Sequence, residues 1–316
     1  MNGDTIRTVA LIGAGTMGPG MAAVFAGHGF EVRLADVKRD VLERAKTTIE
    51  TVYATLSTGG MLTSDAVEAA RPRVRFTLDV AEAVRGAEFV VEAIPERLDL
   101  KQRLFGEIEP YVSAAAILAS NTSGIPITEL GKAVKRPERV VGMHWSNPPH
   151  LIPVIEVIRG DRTSQAAVEA TRRVVERLEM IPVLVRRDVP GFVENRILYA
   201  IMREALHLLE EGIASAEDID TITKWGIGYK LAVIGPLELL DVAGLDIYQS
   251  VASYLNADLS SRADVSPMIV RKVGAGELGV KTGRGMYDYR PEEIPPLMQR
   301  RMKRLLAARK ALSAPA

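Results

Sequence analysis

The chain has 316 residues, long enough for two domains, of which 47% are hydrophobic and 25% charged, the profile of an ordinary globular protein. Forty Lys and Arg balance forty Asp and Glu, so the charge gives no reason to expect nucleic acid or an anionic membrane as a partner. There is no Cys, which excludes disulfides, thiolate zinc sites, iron–sulfur clusters and a cysteine nucleophile; no metal is expected.

The opening MNGDTIRTVALIG runs almost directly into a strand, without a basic stretch and apolar region before a cleavage site. No apolar run reaches bilayer length, and the cytoplasm is the expected location. Short apolar runs follow at RTVALIG, FEVRLAD, VRFT, EFVVEAI, AAILAS, RVVGMHW, PVIEVIR and IPVLVRR. Several are separated by helical patterns, such as LDLKQRLFGEIEPYV, where Leu100, Leu104, Phe105 and Ile108 share one face. This alternation predicts an α/β fold with a doubly wound, mostly parallel sheet. Residues 38–72 interrupt the rhythm and read as a helical hairpin inserted after the second strand. Beyond RRDVPGF only helical patterns remain. A domain boundary is therefore expected near Arg187–Pro190, giving a first domain of 1–188 and an all-α second domain of 189–316.

VALIGAGTMG places Gly13, Gly15 and Gly18 in G-x-G-x-x-G spacing, after a strand and at the start of a helix. In that setting Gly13 permits the tight turn, Gly15 lets the backbone approach a pyrophosphate and Gly18 allows helix and strand to pack closely. Asp36 ends the next strand, where a carboxylate bonds the ribose hydroxyls and repels a 2′-phosphate. NAD is the expected cofactor, with Lys38 and Arg39 close enough to leave NADP use open.

Hydride chemistry on an alcohol needs a group for the hydroxyl proton, most often histidine. The chain has His28, His144, His150 and His207. His28 and His207 read as helix or surface histidines, and His150 lies on a proline-flanked loop. His144 ends a strand, at the sheet edge where such folds bind ligands. Glu156 stands inside the apolar run IPVIEVI, where a lone carboxylate is costly. Two partners for it are open: His144, if the two segments are neighbours, or an arginine in a structural ion pair.

IGAGTMGPG, ASNTSGIPIT, GMHWSNPP with IPVIEVI, PGFVENRILYAIMREALHLLEEGI and KTGRGMYDY together resemble the 3-hydroxyacyl-CoA dehydrogenase family, in order and over nearly the whole chain. The resemblance implies a Rossmann-type NAD domain, a helical dimerisation domain and a homodimer. It also implies hydride transfer between NAD and a 3-hydroxyacyl substrate, such as a 3-hydroxybutyryl-CoA of fatty acid metabolism. It makes His144 the base and Glu156 its carboxylate partner, with Ser123 and Asn195 bonding the reacting oxygen. Cofactor contacts are implied at Glu96, Lys101, Asn147 and Lys281. Read singly, Ser123 suits a turn or cap, Asn195 a helix start and Lys281 the surface.

The chain departs from the acyl-CoA pattern in places. It reads HWSNPP for HFFNP, has Gly124 where a second serine follows SNTS, and reads YKLAVIGP for YPMGP. From Thr47 to Ala70 the hairpin has Glu50, Asp65 and Glu68 but no Lys or Arg, although CoA phosphates call for cations. NPP, IGPLE and HWSNPPH look more like family branches acting on small carboxylates, an L-gulonate-like hydroxy acid or a pyridine carboxylate aldehyde. A lysine-based hydroxyisobutyrate-type dehydrogenase lacks the His144–Glu156 combination. A non-catalytic NAD-binding protein has no need to keep all four catalytic positions.

Overall fold

In a computed structural model of the chain, residues 3–313 are described. They fall into two compact units, Met1–Asn195 and Arg196–Ala316.

The first unit is built on one eight-stranded sheet. Its strands are β1 (Thr8–Ile12), β2 (Glu31–Ala35), β3 (Val74–Thr77), β4 (Phe89–Glu92), β5 (Ile117–Ser120), β6 (Val140–Trp145), β7 (Val154–Ile158) and β8 (Ile181–Val185). Each matches one of the eight apolar runs. The order is β3-β2-β1-β4-β5-β6-β7-β8, and every pair is parallel except β6 with β7. The chain leaves β1 in one direction along the sheet and returns to place β4 on its other side. This is the topological switch point, where open α/β sheets bind ligands beyond the carboxyl ends of their strands.

Helices cover both faces. On one lie α1 (Gly18–Gly27), the hairpin α2 (Arg39–Thr58) with α3 (Ser64–Ala70), and α7 (Gln165–Arg177). On the other lie α4 (Val80–Val84), α5 (Leu98–Ile108) and α6 (Ile127–Gly131). Side-chain caps start several of them: Thr63 accepts the Ala66 amide, Asp79 those of Ala81 and Glu82, and Ser164 that of Ala167. Central strands are buried on both faces and read as continuous apolar runs. Gly18 is required by packing, because a Cβ there would lie 2.0 Å from the Gly13 carbonyl oxygen.

One expectation for α5 is corrected. Its buried face is Lys101, Leu104, Phe105 and Ile108, while Leu100 is only half-buried. The spacing is still that of one helical face, but a lysine fills the first place because a buried carboxylate of β4 attracts it.

The second unit continues α8 (Glu194–Glu210) and adds α9 (Ala216–Ile222), a π-helical turn (Thr223–Gly228), α10 (Tyr229–Leu231), α11 (Pro236–Ala243), α12 (Leu245–Asp258), α13 (Pro267–Gly274) and α14 (Ile294–Ser313). Among its described residues the one buried hydrophobic side chain is Ile219. The apolar circumference of α8 predicts burial by other helices, yet no α8 residue is buried within the chain, and Tyr199 is 67% exposed. No helix among the described residues is long and apolar enough to cross a membrane.

Candidate active site

The glycine loop follows β1. Gly13 has φ 110°, a left-handed backbone that favours glycine, and its amide donates to the Ala35 carbonyl. A Cβ on Gly15 would meet no protein atom within 4 Å, so the backbone there is open to close approach. α1 begins at Gly18 with no acidic residue in its first turn, leaving its partial positive charge free for a phosphate. Asp36, just past β2, accepts the Ala14 amide (3.0 Å) and the Lys38 amide (3.0 Å). The loop, the helix start and the carboxylate are thus assembled as a dinucleotide pyrophosphate and ribose require.

At the other end of the crevice, antiparallel pairing places His144 of β6 directly opposite Glu156 of β7. Nδ1 of His144 lies 2.8 Å from Glu156 Oε2, with the two residues 6% and 2% exposed. An ionised carboxylate can only accept, so Nδ1 carries the proton and Nε2 is left with its lone pair, the tautomer a general base needs. The other oxygen of Glu156 accepts the backbone amides of Val193 (2.9 Å) and Glu194 (3.1 Å). Both lie at the start of α8, where amides have no acceptor within the helix. Burial raises the proton affinity of Glu156, but the bonds from His144 and the two amides outweigh it and hold the carboxyl below its ordinary range.

The turn that delivers those amides is strained. Phe192 is bulky, fully buried and has φ 50°, and Gly191 before it has φ 77°. A non-glycine residue held there costs about 1–3 kcal/mol. The ring of Phe192 in turn packs against the imidazole of His144, centroids 6.0 Å apart. Of the other histidines, His28 bonds the Val24 carbonyl at the far end of α1. His150 is buried, and a Cβ on Gly20 of α1 would come within 3.4 Å of its Nδ1.

The SNTS loop after β5 is held from below. Glu96 Oε1 accepts the Thr122 hydroxyl (2.6 Å) and the amides of Ser123 (2.9 Å) and Gly124 (3.1 Å). These bonds and Lys101 outweigh burial and keep the Glu96 carboxyl below its usual range. Ser123 is exposed, and its carbonyl accepts the Asn195 side-chain amide at 2.9 Å. Those two expected oxygen-binding residues are therefore brought together. Lys101, expected to touch the cofactor, is 1% exposed. Its ammonium bonds Glu92 (2.6 Å), the Ile94 carbonyl (3.3 Å) and Glu96 (3.3 Å). It lies beneath Glu96 rather than beside it. Asn147 is exposed in the turn after β6, and Lys281 is exposed in the second unit.

Sequence reasoning missed Glu92. It is fully buried at the end of β4, bonded to Lys101, to the Ser120 hydroxyl (2.6 Å) and to the Ile94 amide (2.7 Å). Burial pushes its carboxyl upward, against the pull of Lys101 and Ser120. The signal was available: a glutamate in an apolar strand, the same anomaly as Glu156. Asn121 was also missed; its side-chain oxygen accepts the Trp145 amide and ties the SNTS loop to the strand of His144. So was Glu194, whose carboxylate accepts the Ser146 hydroxyl at 2.6 Å.

Comparison with known proteins agrees with this geometry. The model of the 3-hydroxyacyl-CoA dehydrogenase NAD-binding domain matches residues 8–189, and that of the family's C-terminal domain matches 191–289. The chain is 48% identical over 307 residues to a 5-formyl-3-hydroxy-2-methylpyridine 4-carboxylate 5-dehydrogenase of Mesorhizobium japonicum, covering 97% of this chain and 98% of that one. It is 38% identical over 292 residues to a 3-hydroxybutyryl-CoA dehydrogenase of Bradyrhizobium diazoefficiens, covering 92% and 98%. A crystal structure of a 5-formyl-3-hydroxy-2-methylpyridine 4-carboxylic acid 5-dehydrogenase, described as an NAD+-dependent dismutase, superposes with a TM-score of 0.94 at 48% identity, covering 99% of this chain and all of that one. A Rossmann-type sheet with a glycine loop and Asp36 at one end and a histidine–carboxylate pair at the other, matched by both family domains, makes this chain an NAD-dependent oxidoreductase of the 3-hydroxyacyl-CoA dehydrogenase family.

Proposed function

We propose that the substrate is a small aromatic carboxylate carrying an aldehyde or the corresponding alcohol, without a CoA handle. The observation that carries this reading is the state of the hairpin's cations. No Lys or Arg lies between Thr47 and Ala70. Arg71, next in the chain, is held by ion pairs to Glu50 and Glu68, and Arg73 is held by Glu31 and the Gly29 carbonyl. CoA phosphates would have to strip these arginines from their carboxylates. The 48% identity to a pyridine carboxylate aldehyde dehydrogenase along almost its full length supports the same reading. A 3-hydroxybutyryl-CoA-like substrate is the second reading, favoured by the 38% relative; it would use the same proton and hydride chemistry.

When bound, NAD supplies the hydride acceptor. The chain does the rest. Nε2 of His144 takes the hydroxyl proton of an alcohol as it is oxidised, or returns it to an aldehyde as it is reduced. Glu156 fixes the tautomer and stabilises the imidazolium. Ser123 and Asn195 hold the reacting oxygen. Gly13, Gly15, Gly18 and Asp36 receive the dinucleotide, with Glu96, Lys101, Asn147 and Lys281 contributing to its site. We place the domain boundary at 188/189, the protein in the cytoplasm and its working form as a homodimer. The exposed apolar faces of the second unit support the dimer.

The test compares kcat/KM for acetoacetyl-CoA, L-gulonate and 5-formyl-3-hydroxy-2-methylpyridine 4-carboxylate. The aldehyde should lead by at least tenfold. If acetoacetyl-CoA leads, and leads over the same acyl group on truncated pantetheine, the CoA nucleotide is recognised and the proposal fails.

A further inference from the structure

Two carboxylates flank His144, and they are held differently. A ring nitrogen of His144 and one carboxylate oxygen each of Glu156 and Glu194 lie within 4.8 Å of one another. Glu156 is 2% exposed and accepts three hydrogen bonds, from His144 and two amides. Its oxygens are committed. Glu194 is only half-buried. Its two oxygens share a single donor, the hydroxyl of Ser146, at 2.6 and 2.5 Å. No Lys or Arg among the described residues pairs with it. A carboxylate has about four lone-pair positions, so the single Ser146 donor leaves most of the accepting capacity of Glu194 unused, within 4.8 Å of a ring nitrogen of the base. A second anion beside Glu156 is unfavourable unless it has work that an uncharged side chain could not do.

Resting on the substrate class proposed above, we infer that Glu194, positioned by Ser146, takes the proton of the water that adds to the aldehyde, and so lets this site carry an aldehyde on to the carboxylic acid. An aldehyde carbon bears a hydrogen but no hydroxyl for His144 to deprotonate. Oxidation to the acid therefore needs a water first. The water oxygen bonds to the carbonyl carbon while its proton passes to Glu194. The π-electron pair of the C=O bond moves onto oxygen, which takes a proton from the imidazolium of His144. A geminal diol results, and His144 is now neutral. The C–H bond then breaks, its electron pair leaving as hydride for NAD+, and one diol hydroxyl gives its proton to His144. The substrate is oxidised to the carboxylic acid and the nicotinamide reduced. Glu194 returns its proton to solvent, the product ionises, and His144 is again protonated. Reduction of the same aldehyde by NADH needs the hydride and the His144 proton but no water, so Glu194 transfers no proton in that direction.

The two directions therefore depend on Glu194 to different degrees. Glu194→Gln keeps size and hydrogen bonding but cannot take a proton. With 5-formyl-3-hydroxy-2-methylpyridine 4-carboxylate as probe, oxidation by NAD+ and reduction by NADH are measured separately. The ratio of the oxidative to the reductive kcat should fall about 10²-fold in Glu194→Gln, within the range of a lost general base. Glu194→Asp should restore part of it, and Ser146→Ala should lower it by a smaller factor. NADH binding, followed by its fluorescence, verifies that each variant is folded. An unchanged ratio, or an equal fall in both directions, overturns the role of Glu194. If the wild type turns over the aldehyde in neither direction, the proposed substrate class itself fails, and with it the inference.

Discussion

The two units handle their apolar residues in opposite ways. The first buries two hydrophobic layers, one against each face of its sheet, and among its fully buried side chains are Trp145, Tyr53, Phe25 and Phe89. The second has helices of comparable length but, among its described residues, buries a single hydrophobic side chain, Ile219. Trp225 is 72%, Val233 79% and Leu237 78% exposed. Apolar exposure on this scale supports the homodimer proposed above. The contrast teaches that the first unit buries its apolar layers within one chain, whereas the second leaves its apolar helix faces uncovered, as the proposed homodimer requires. It also separates two kinds of fragility: chemistry and buried charge in the first unit, assembly in the second.

The largest effect tests the first half of that contrast. His144→Ala should lower turnover by about 10²–10⁴-fold while leaving NAD affinity and oligomeric state unchanged, as read by NADH fluorescence and light scattering. If turnover stays at the wild-type level, His144 has no part in the mechanism.

Next in size is the buried ion pair. Lys101→Met strands Glu92 without its cation, which should destabilise the first unit by about 3–5 kcal/mol. Chemical denaturation should show this as a lower midpoint at unchanged oligomer size. A simultaneous Glu92→Leu should recover much of the loss. Without recovery, the pair is not what holds β4 to α5.

The second half of the contrast is tested on α8. Tyr199→Glu with Met202→Glu places charges on its exposed apolar face. The variant should appear as a monomer at micromolar concentration, whereas the wild type should appear as the proposed two-fold dimer. The melting temperature of the wild type should also rise with protein concentration. A wild-type monomer in light scattering would break the comparison outright.

A smaller effect concerns the cofactor. NAD should be preferred over NADP, and Asp36→Ala should narrow that preference by removing both the ribose bond and the repulsion of a 2′-phosphate. Equal use of both by the wild type would remove Asp36 from cofactor choice.

The smallest effect sharpens the account of Glu156. Its carboxyl titrates below the ordinary range, so its contribution to stability is present above the unfolded value and is lost as pH falls through the folded one. The difference in melting temperature between the wild type and Glu156→Gln should be full near neutrality and shrink as the medium is acidified below pH ~4.5. A gap that is constant with pH would mean that the charge of Glu156 does not stabilise the fold.

Some of this was determined by the sequence alone. All eight strands, the inserted hairpin and the glycine loop are legible, because apolar periodicity and the left-handed needs of Gly13 are local properties. So is the oddity of Glu156, because a carboxylate in an apolar strand demands a partner wherever that partner lies. What answered the demand was decided only in three dimensions. The antiparallel return of β7 faces Glu156 with His144, and the strained turn at Phe192 brings the amides of Val193 and Glu194 to its other oxygen. Neither follows from periodicity, since both depend on segments separated by 12 to 38 residues meeting in one register. The same holds for Lys101, which the family resemblance makes a cofactor contact, whereas the structure buries it against Glu92. It holds most of all for the second unit: its sequence shows apolar helices, but only the tertiary structure reveals that the chain by itself leaves them uncovered, because helix-forming periodicity says which faces want burial and not whether the cover comes from the same chain.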